Sequence, residues 1–247
     1  MNRRTFCITL IAVSIASRAS AQNCDRDLWC AGPDGSQRGP MSPRGVNETN
    51  QAALQPDAGL ERQYAAIYGR INSESFPIRA VKLSDIDPAY LRQLVNYPAP
   101  DEPGTIVVDP HHHFLYLLQD DGTAIRYGVG VGRAGFAWSG AATVHDKREW
   151  PDWYPPREML RRQPELMERV SQLQGGLGVP GGPRNPLGAR AMYLWQGNKD
   201  TLYRIHGTNE PWTIGKSVSS GCIRMINQDA IDLYRRTSIG AEVVVLA

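Results

Sequence analysis

The chain has 247 residues, of which 41% are hydrophobic and 21% charged. That much apolar material can build a real core, and it excludes a disordered chain, which needs low hydrophobicity and a large net charge. Glycine (24) and proline (18) together make about one residue in six, which disfavours a helical bundle and favours strands joined by elaborate loops.

The first 21 residues read as an export signal rather than as structure. Met1–Arg4 is a basic start, Phe6–Ala16 an apolar run, and Ala19-Ser20-Ala21 a small-x-small cleavage pattern. The apolar run is too short to span a bilayer, and Arg3-Arg4-Thr5-Phe6 matches the core of a twin-arginine signal. Removing residues 1–21 takes Arg3, Arg4 and Arg18 from 27 basic residues against 25 acidic ones, leaving a charge of −1. The small positive charge of the whole chain thus belongs to the signal, and nucleic acid is not an expected partner. The expectation is an exported, periplasmic protein. Cys7 leaves with the signal; Cys24 and Cys30 could form a small loop disulfide, which leaves Cys222 odd.

Residues 22–59 are expected to form a flexible tether, because 31–58 is rich in Gly, Pro, Ser, Asn and Gln. A short helical lead-in follows over 60–103. Leu60, Tyr64, Ile67 and Ile71 fall at helical spacing, and Asp87-Pro88 reads as cap and first residue of a second helix through Tyr90, Leu91, Leu94 and Val95. From Gly104 the pattern turns to strands: Thr105–Val108, Phe114–Leu118, a turn at Asp121-Gly122 into Ala124–Val131, and Ala141–Val144. Weak helical stretches flank Pro164, running through Met159-Leu160 before it and Leu166, Met167, Val170 and Leu173 after it. Gly175–Arg190 reads as a loop. Ala191–Leu194 and Leu202–His206 are expected to pair across Gly197–Asp200. Asn227 should cap a helix through Ile231, Leu233 and Tyr234, and Glu242–Leu246 should be a last strand. The fold class is therefore mainly β and sandwich-like, with a few short helices.

Several patterns carry little chemistry. Gly130-Val131-Gly132-Arg133-Ala134-Gly135 satisfies a dinucleotide fingerprint, but no helix opens at its third glycine, so these are turn glycines. His111, His112 and His113 are consecutive and would point to alternate faces, so they read as exposed residues at a strand entry, not metal ligands. His145 alone reads as structural or surface. Trp150, Trp153, Tyr154, Trp195 and Trp212 lie in or beside loops, as a groove wall for peptide or sugar or as plugs of the core.

The informative stretch is Ile205-His206-Gly207-Thr208, then Ser219-Ser220-Gly221-Cys222-Ile223-Arg224. A thiol attacks as thiolate, so a nucleophilic Cys222 wants a base, and His206 is the candidate. Small residues before the cysteine let backbone N–H groups reach a reacting carbonyl as an oxyanion site. Arg224 could hold a substrate carboxylate or brace the loop.

This pair of segments resembles the signature of the bacterial L,D-transpeptidase family, the YkuD-type catalytic domain: His-Gly-Thr, a spacer, then Ser-His-Gly-Cys or Ser-Ser-Gly-Cys. The resemblance runs over 104–247. It implies a mainly β domain with the cysteine in a groove under a flap, Cys222 as nucleophile and His206 as proton donor and acceptor. It also implies that the Gly207 carbonyl orients the imidazole. Ser220 stands where many members carry a second histidine, so Ser219, Ser220 and Gly221 are expected to support the thiol and oxyanion site. The implied enzyme is a cysteine acyltransferase acting on a peptidoglycan stem tetrapeptide. Cys222 would attack the carbonyl of the third residue, release D-alanine, and pass the thioester to an amine as a 3→3 cross-link. No metal or cofactor is expected. The other readings are an L,D-carboxypeptidase or hydrolase, an enzyme that attaches an envelope protein to peptidoglycan, and a non-catalytic wall-binding module.

Overall fold

Short runs of β-branched and aromatic residues, cut by glycine and proline, make strands the dominant element of this chain. A computed structural model describes residues 58–132, 139–219 and 221–247. The expected signal, nearly all of the tether with Cys24 and Cys30, residues 133–138 of the glycine-rich run and its neighbours, and Ser220 lie outside the described residues.

The lead-in is less helical than its spacing predicts. Helix α1 (Ala58–Ile67) stops before Ile71, which instead bridges Ile78 with backbone bonds of 3.0 and 2.9 Å. Asp87 does cap, its carboxylate accepting from the Ala89 N–H at 2.9 Å, but only one turn forms, over Pro88–Tyr90. Leu94 and Val95, expected in that helix, lie in strand β1 (Gln93–Asn96). Four residues of apolar spacing cannot separate helix from strand, and a waiting partner edge decides it. Tyr68, Ile86, Leu91, Ile214 and Ile226 form a small core between the lead-in and the rest.

The strands continue as β2 (Ile106–Asp109), β3 (Phe114–Leu118), β4 (Thr123–Gly128), the two-residue β5 (Val131–Gly132) and β6 (Gly140–Glu149). Next come helix α2 (Arg157–Arg162), the small hairpin β7 (Ser171–Leu173) and β8 (Gly176–Gly178), and the long hairpin β9 (Arg190–Gln196) and β10 (Lys199–His206). The chain ends with β11 (Ser217–Ser219), β12 (Ile223–Arg224), helix α3 (Asn227–Arg236) and β13 (Glu242–Val245). Val170 and Leu173 therefore leave the helical reading, the one just before β7 and the other inside it. Part of the expected loop 175–190 is β8 and the start of β9.

Among the described residues nine strands form one mixed sheet in the order β1-β4-β3-β2-β13-β6-β9-β10-β12. The sheet curls back on itself. Gly130, just past β4 near one edge, exchanges backbone bonds of 2.9 and 2.8 Å with Arg224 of β12 at the other edge. This closure makes the fold mainly β and sandwich-like. Ile106, Leu115, Val144, Leu194, Ile205 and Ile223, fully buried, meet in one core. Each such aliphatic side chain contributes about 1.5–3 kcal/mol on leaving water.

Two further features set up the site. Trp153 and Val179 exchange backbone bonds of 2.9 and 2.8 Å, closing the base of the excursion that carries α2, β7 and β8. The expected cap Asn227 is instead the first residue of α3; Ile226 holds the cap position without a side-chain bond, and the Asn227 amide reaches across to another loop. No helix among the described residues is long and apolar enough to cross a membrane.

Candidate active site

Strand register brings the two motif segments together. β12 runs parallel to β10 with Ile205 opposite Ile223 and His206 opposite Arg224. Ile205 and Ile223 are both 0% exposed and face the core. Because side chains alternate along a strand, Arg204 and His206 on β10, and Cys222 and Arg224 on and before β12, share the opposite face.

His206 is buried, and its Nδ1 lies 2.5 Å from the Gly207 carbonyl oxygen. A carbonyl can only accept, so Nδ1 carries the proton and Nε2 keeps its lone pair. Burial pushes the imidazole pKa down to about 4, reinforced by the Arg224 and Arg204 charges and opposed by the Gly207 bond. Cys222 is a half-buried free thiol whose Sγ lies 3.9 Å from the Leu202 carbonyl. Burial also raises its pKa, while the Arg204 backbone N–H and the Arg204 and Arg224 guanidinium groups pull the other way. Both shifts favour the uncharged forms. At neutral pH the resting groups are imidazole and thiol.

The turn before the cysteine is tightly braced. Ser219 Oγ donates to the Cys222 carbonyl at 2.7 Å and accepts from the Gly221 N–H at 3.2 Å. Gly221 has φ +129, and a Cβ at Gly132 would sit 2.8 Å from its Cα, so β5 and the motif loop meet backbone to backbone. Ser219 thus braces the loop, and the Gly221 N–H points at that hydroxyl. Arg224 Nη1 pairs with Glu210 Oε2 at 3.0 Å, so its guanidinium ties the Cys222 segment to the loop after His206. His113 Nε2 lies 3.0 Å from Ser217 Oγ at the head of β11, while His111 and His112 are exposed in the turn before β3.

The side chains that hold this arrangement are not marked for that role by any motif in the sequence. Asn227 Oδ1 accepts from the Ala189 N–H at 2.9 Å and its Nδ2 donates to the Thr208 carbonyl at 2.8 Å. A Cβ at either Gly188 or Gly207 would overlap that same Oδ1, which explains the glycine after His206 independently of its carbonyl. Arg204 is held by both Asp200 oxygens at 2.8 Å and stacks 4.3 Å over the Tyr193 ring. The pair forms because a bulge lies between Asp200 and Arg204, a register shift with no sequence signal of its own. Of the aromatic residues, Trp195 stacks on His145 at 3.9 Å, Trp150 Nε1 donates to Glu74 Oε2 at 3.2 Å, and Trp212 is exposed.

Residues 103–245 match the family model described as the L,D-transpeptidase catalytic domain, YkuD. The probable L,D-transpeptidase ErfK/SrfK of Escherichia coli K12 is 33% identical over 147 residues, 58% of this chain and 44% of that protein. The putative L,D-transpeptidase YkuD of Bacillus subtilis is 47% identical over 62 residues, 25% of this chain and 37% of that one. A solved structure described as a probable carnitine operon oxidoreductase from Brucella melitensis is 53% identical and covers 67% of this chain and 99% of its own. Its TM-score of 0.44 is too low to bear on the fold. The match to these curated relatives spans less than half of their length. With more than half of its residues matched to the family's own model, the chain belongs to the YkuD family of L,D-transpeptidase catalytic domains.

Proposed function

We propose that this protein is a peptidoglycan L,D-transpeptidase with Cys222 as nucleophile and His206 as the proton carrier. The observation that carries this reading is the His206–Gly207 bond on a strand in register with β12. It frees Nε2 as an acceptor on the face that also bears Cys222.

In the proposed reaction Nε2 takes the thiol proton as sulfur attacks the carbonyl of the third residue in a stem tetrapeptide. The tetrahedral intermediate collapses by breaking the C–N bond to the terminal D-alanine, whose amine leaves with the proton from His206. An amine of a second stem then gives a proton to His206 and attacks the thioester. That proton returns to sulfur as the new 3→3 amide forms. Ser219 supports the site by bracing the Cys222 turn, Gly221 shapes that turn, and Arg224 holds it to Glu210. Ser220 is proposed, from its place in the signature, to support the same site. The substrate places the reaction outside the cytoplasm, consistent with the export signal read at residues 1–21.

The test is mass spectrometry of the mature protein incubated with purified disaccharide-tetrapeptide, beside Cys222→Ala. A dimer lacking one D-alanine, absent from the variant reaction, is expected. Tripeptide without dimer would assign an L,D-carboxypeptidase, or an enzyme whose acceptor is a protein amine. Unchanged substrate from a folded protein would leave a wall-binding module. Turnover retained by Cys222→Ala would remove the nucleophile.

A further inference from the structure

Thr208 and Asn209, just past His206 in the chain, help to line a cavity of about 450 Å³ whose lining includes neither His206 nor Cys222. Its lining includes Arg79, Lys82 and Asp85 of the lead-in together with Arg184, Trp212 and Gln228. The lead-in residues precede the family-matched residues 103–245, so the shared catalytic domain alone does not build this cavity.

The walls are set in advance. Gln228 Nε2 donates to the carbonyls of Tyr68, Gly69 and Arg79 at 3.3, 3.0 and 3.1 Å, pinning the lead-in to α3. The Asn227 amide fixes Thr208, another lining residue, by donating to its carbonyl at 2.8 Å. The rim is cationic: Arg79, Lys82 and Arg184 line it against one acid, Asp85, which is already paired to Lys82 at 3.0 Å. Exposed Trp212 supplies a flat apolar face. Rigid walls, surplus positive charge and an indole face fit a carboxylate-bearing sugar–peptide.

We propose that this cavity is a second binding site, specific to this chain's lead-in, for the carboxylate-rich stem peptide of a neighbouring peptidoglycan strand. It rests on the proposed function for the identity of the polymer. Arg79 and Arg184 take the stem carboxylates and Trp212 packs on the adjoining sugar or peptide. Bound there, a neighbouring strand lies against the Thr208–Trp212 loop while the catalytic face stays open to a reacting stem.

The experiment measures co-sedimentation of full-length protein, carrying Cys222→Ala to prevent turnover, with intact sacculi and with sacculi stripped of stem peptides by an amidase. Arg79→Glu, Arg184→Glu and Trp212→Ala are each expected to weaken binding to intact sacculi at least about fivefold. Lys199→Glu, an equal charge change on an exposed residue outside the cavity, should bind as the parent does. Stripped sacculi should bind the parent no more tightly than intact sacculi bind Arg79→Glu, since stripping also removes the stems offered to the catalytic face. Equal binding by Arg79→Glu and the parent, equal loss in Lys199→Glu, or undiminished binding to stripped sacculi would each overturn the proposal. In the background with Cys222 intact, the cavity variants should still release D-alanine from soluble disaccharide-tetrapeptide. Failure of the wild type to do so would strike the proposed reaction, whereas the sedimentation result stands without it.

Discussion

His206 must be unprotonated to take a proton, and burial secures that state well below neutrality. With the folded value about 4, the acid limb of kcat/KM should fall near pH 4 and not near the 6.5 of free imidazole. His206→Ala should lower kcat/KM by on the order of 10³-fold or more and abolish that limb; a limb that stays in His206→Ala would assign the base elsewhere. The same burial has a stability consequence. The folded value lies below the unfolded one, so the unfolded chain binds the extra proton between about pH 6.5 and 4. Stability is therefore full above pH 6.5, falls as pH drops towards 4, and levels off below it. The catalytic role proposed for this residue comes from the His-Gly-Thr and Ser-Ser-Gly-Cys signature, because its type and its distance from Cys222 alone are a weak signal. The same signature implies a Gly207 carbonyl behind the imidazole; the structure adds the 2.5 Å contact to Nδ1 from which the tautomer follows.

At the scale of elements, α3 is the brace of the catalytic loop. Asn227→Ala would strip the partner from both the Ala189 N–H and the Thr208 carbonyl, and buried groups left this way cost about 1–3 kcal/mol each. The variant should melt lower and lose kcat while keeping its sheet. Asn227→Asp, which keeps the acceptor for Ala189 and loses the donor to Thr208, should fall between the two in thermal melts; a variant as stable and active as wild type would show the brace to be idle. Asn227 also shows the limit of a local pattern. Its position before an apolar helical pattern predicts a local cap, yet its side chain bonds across the fold to residues 19 and 38 positions away. Strands with a buried alternating face, such as Phe114–Leu118, and the hairpin of β9 and β10 were readable because pattern and turn chemistry are local. Leu94 and Val95 were not, since their strand state comes from pairing with Ile125 and Ala124. Cys222 and His206 could be named from the chain alone. Glu210, Arg204 and Asn227 join them only through loop closure, a bulge and a helix packed from elsewhere.

Over the whole molecule, the lead-in is bound to the catalytic domain by buried charge as much as by apolar packing. Arg190 meets Glu74 through two 2.8 Å bonds, and removing one member of such a pair leaves a buried charge that costs about 3–5 kcal/mol. Glu74→Ala should accordingly shift urea unfolding by that order, while a loss below about 1 kcal/mol would mean that Glu149 or water replaces the lost carboxylate. The second anchor titrates. Asp229 is fully buried; the Tyr68 hydroxyl donates to it at 3.0 Å, and Arg92 Nε stands 3.6 Å away while Arg92 Nη1 lies closer, 2.5 Å, to Asp232. Burial raises the Asp229 pKa to about 7 against the pull of Arg92. Here the folded value lies above the unfolded one, so the folded state holds the extra proton between about pH 4 and 7. The contribution is complete below pH 4 and is lost as pH rises through 7. Asp229→Asn keeps an acceptor for Tyr68 and never ionises. Its melting temperature relative to wild type should therefore rise as pH goes from 5 to 8. His206 acts in the opposite direction at the acid end of that range, but it is common to both proteins and cancels in the difference. A difference that stays constant with pH would mean that Arg92 keeps Asp229 ionised throughout, and that the lead-in is held by a permanent ion pair.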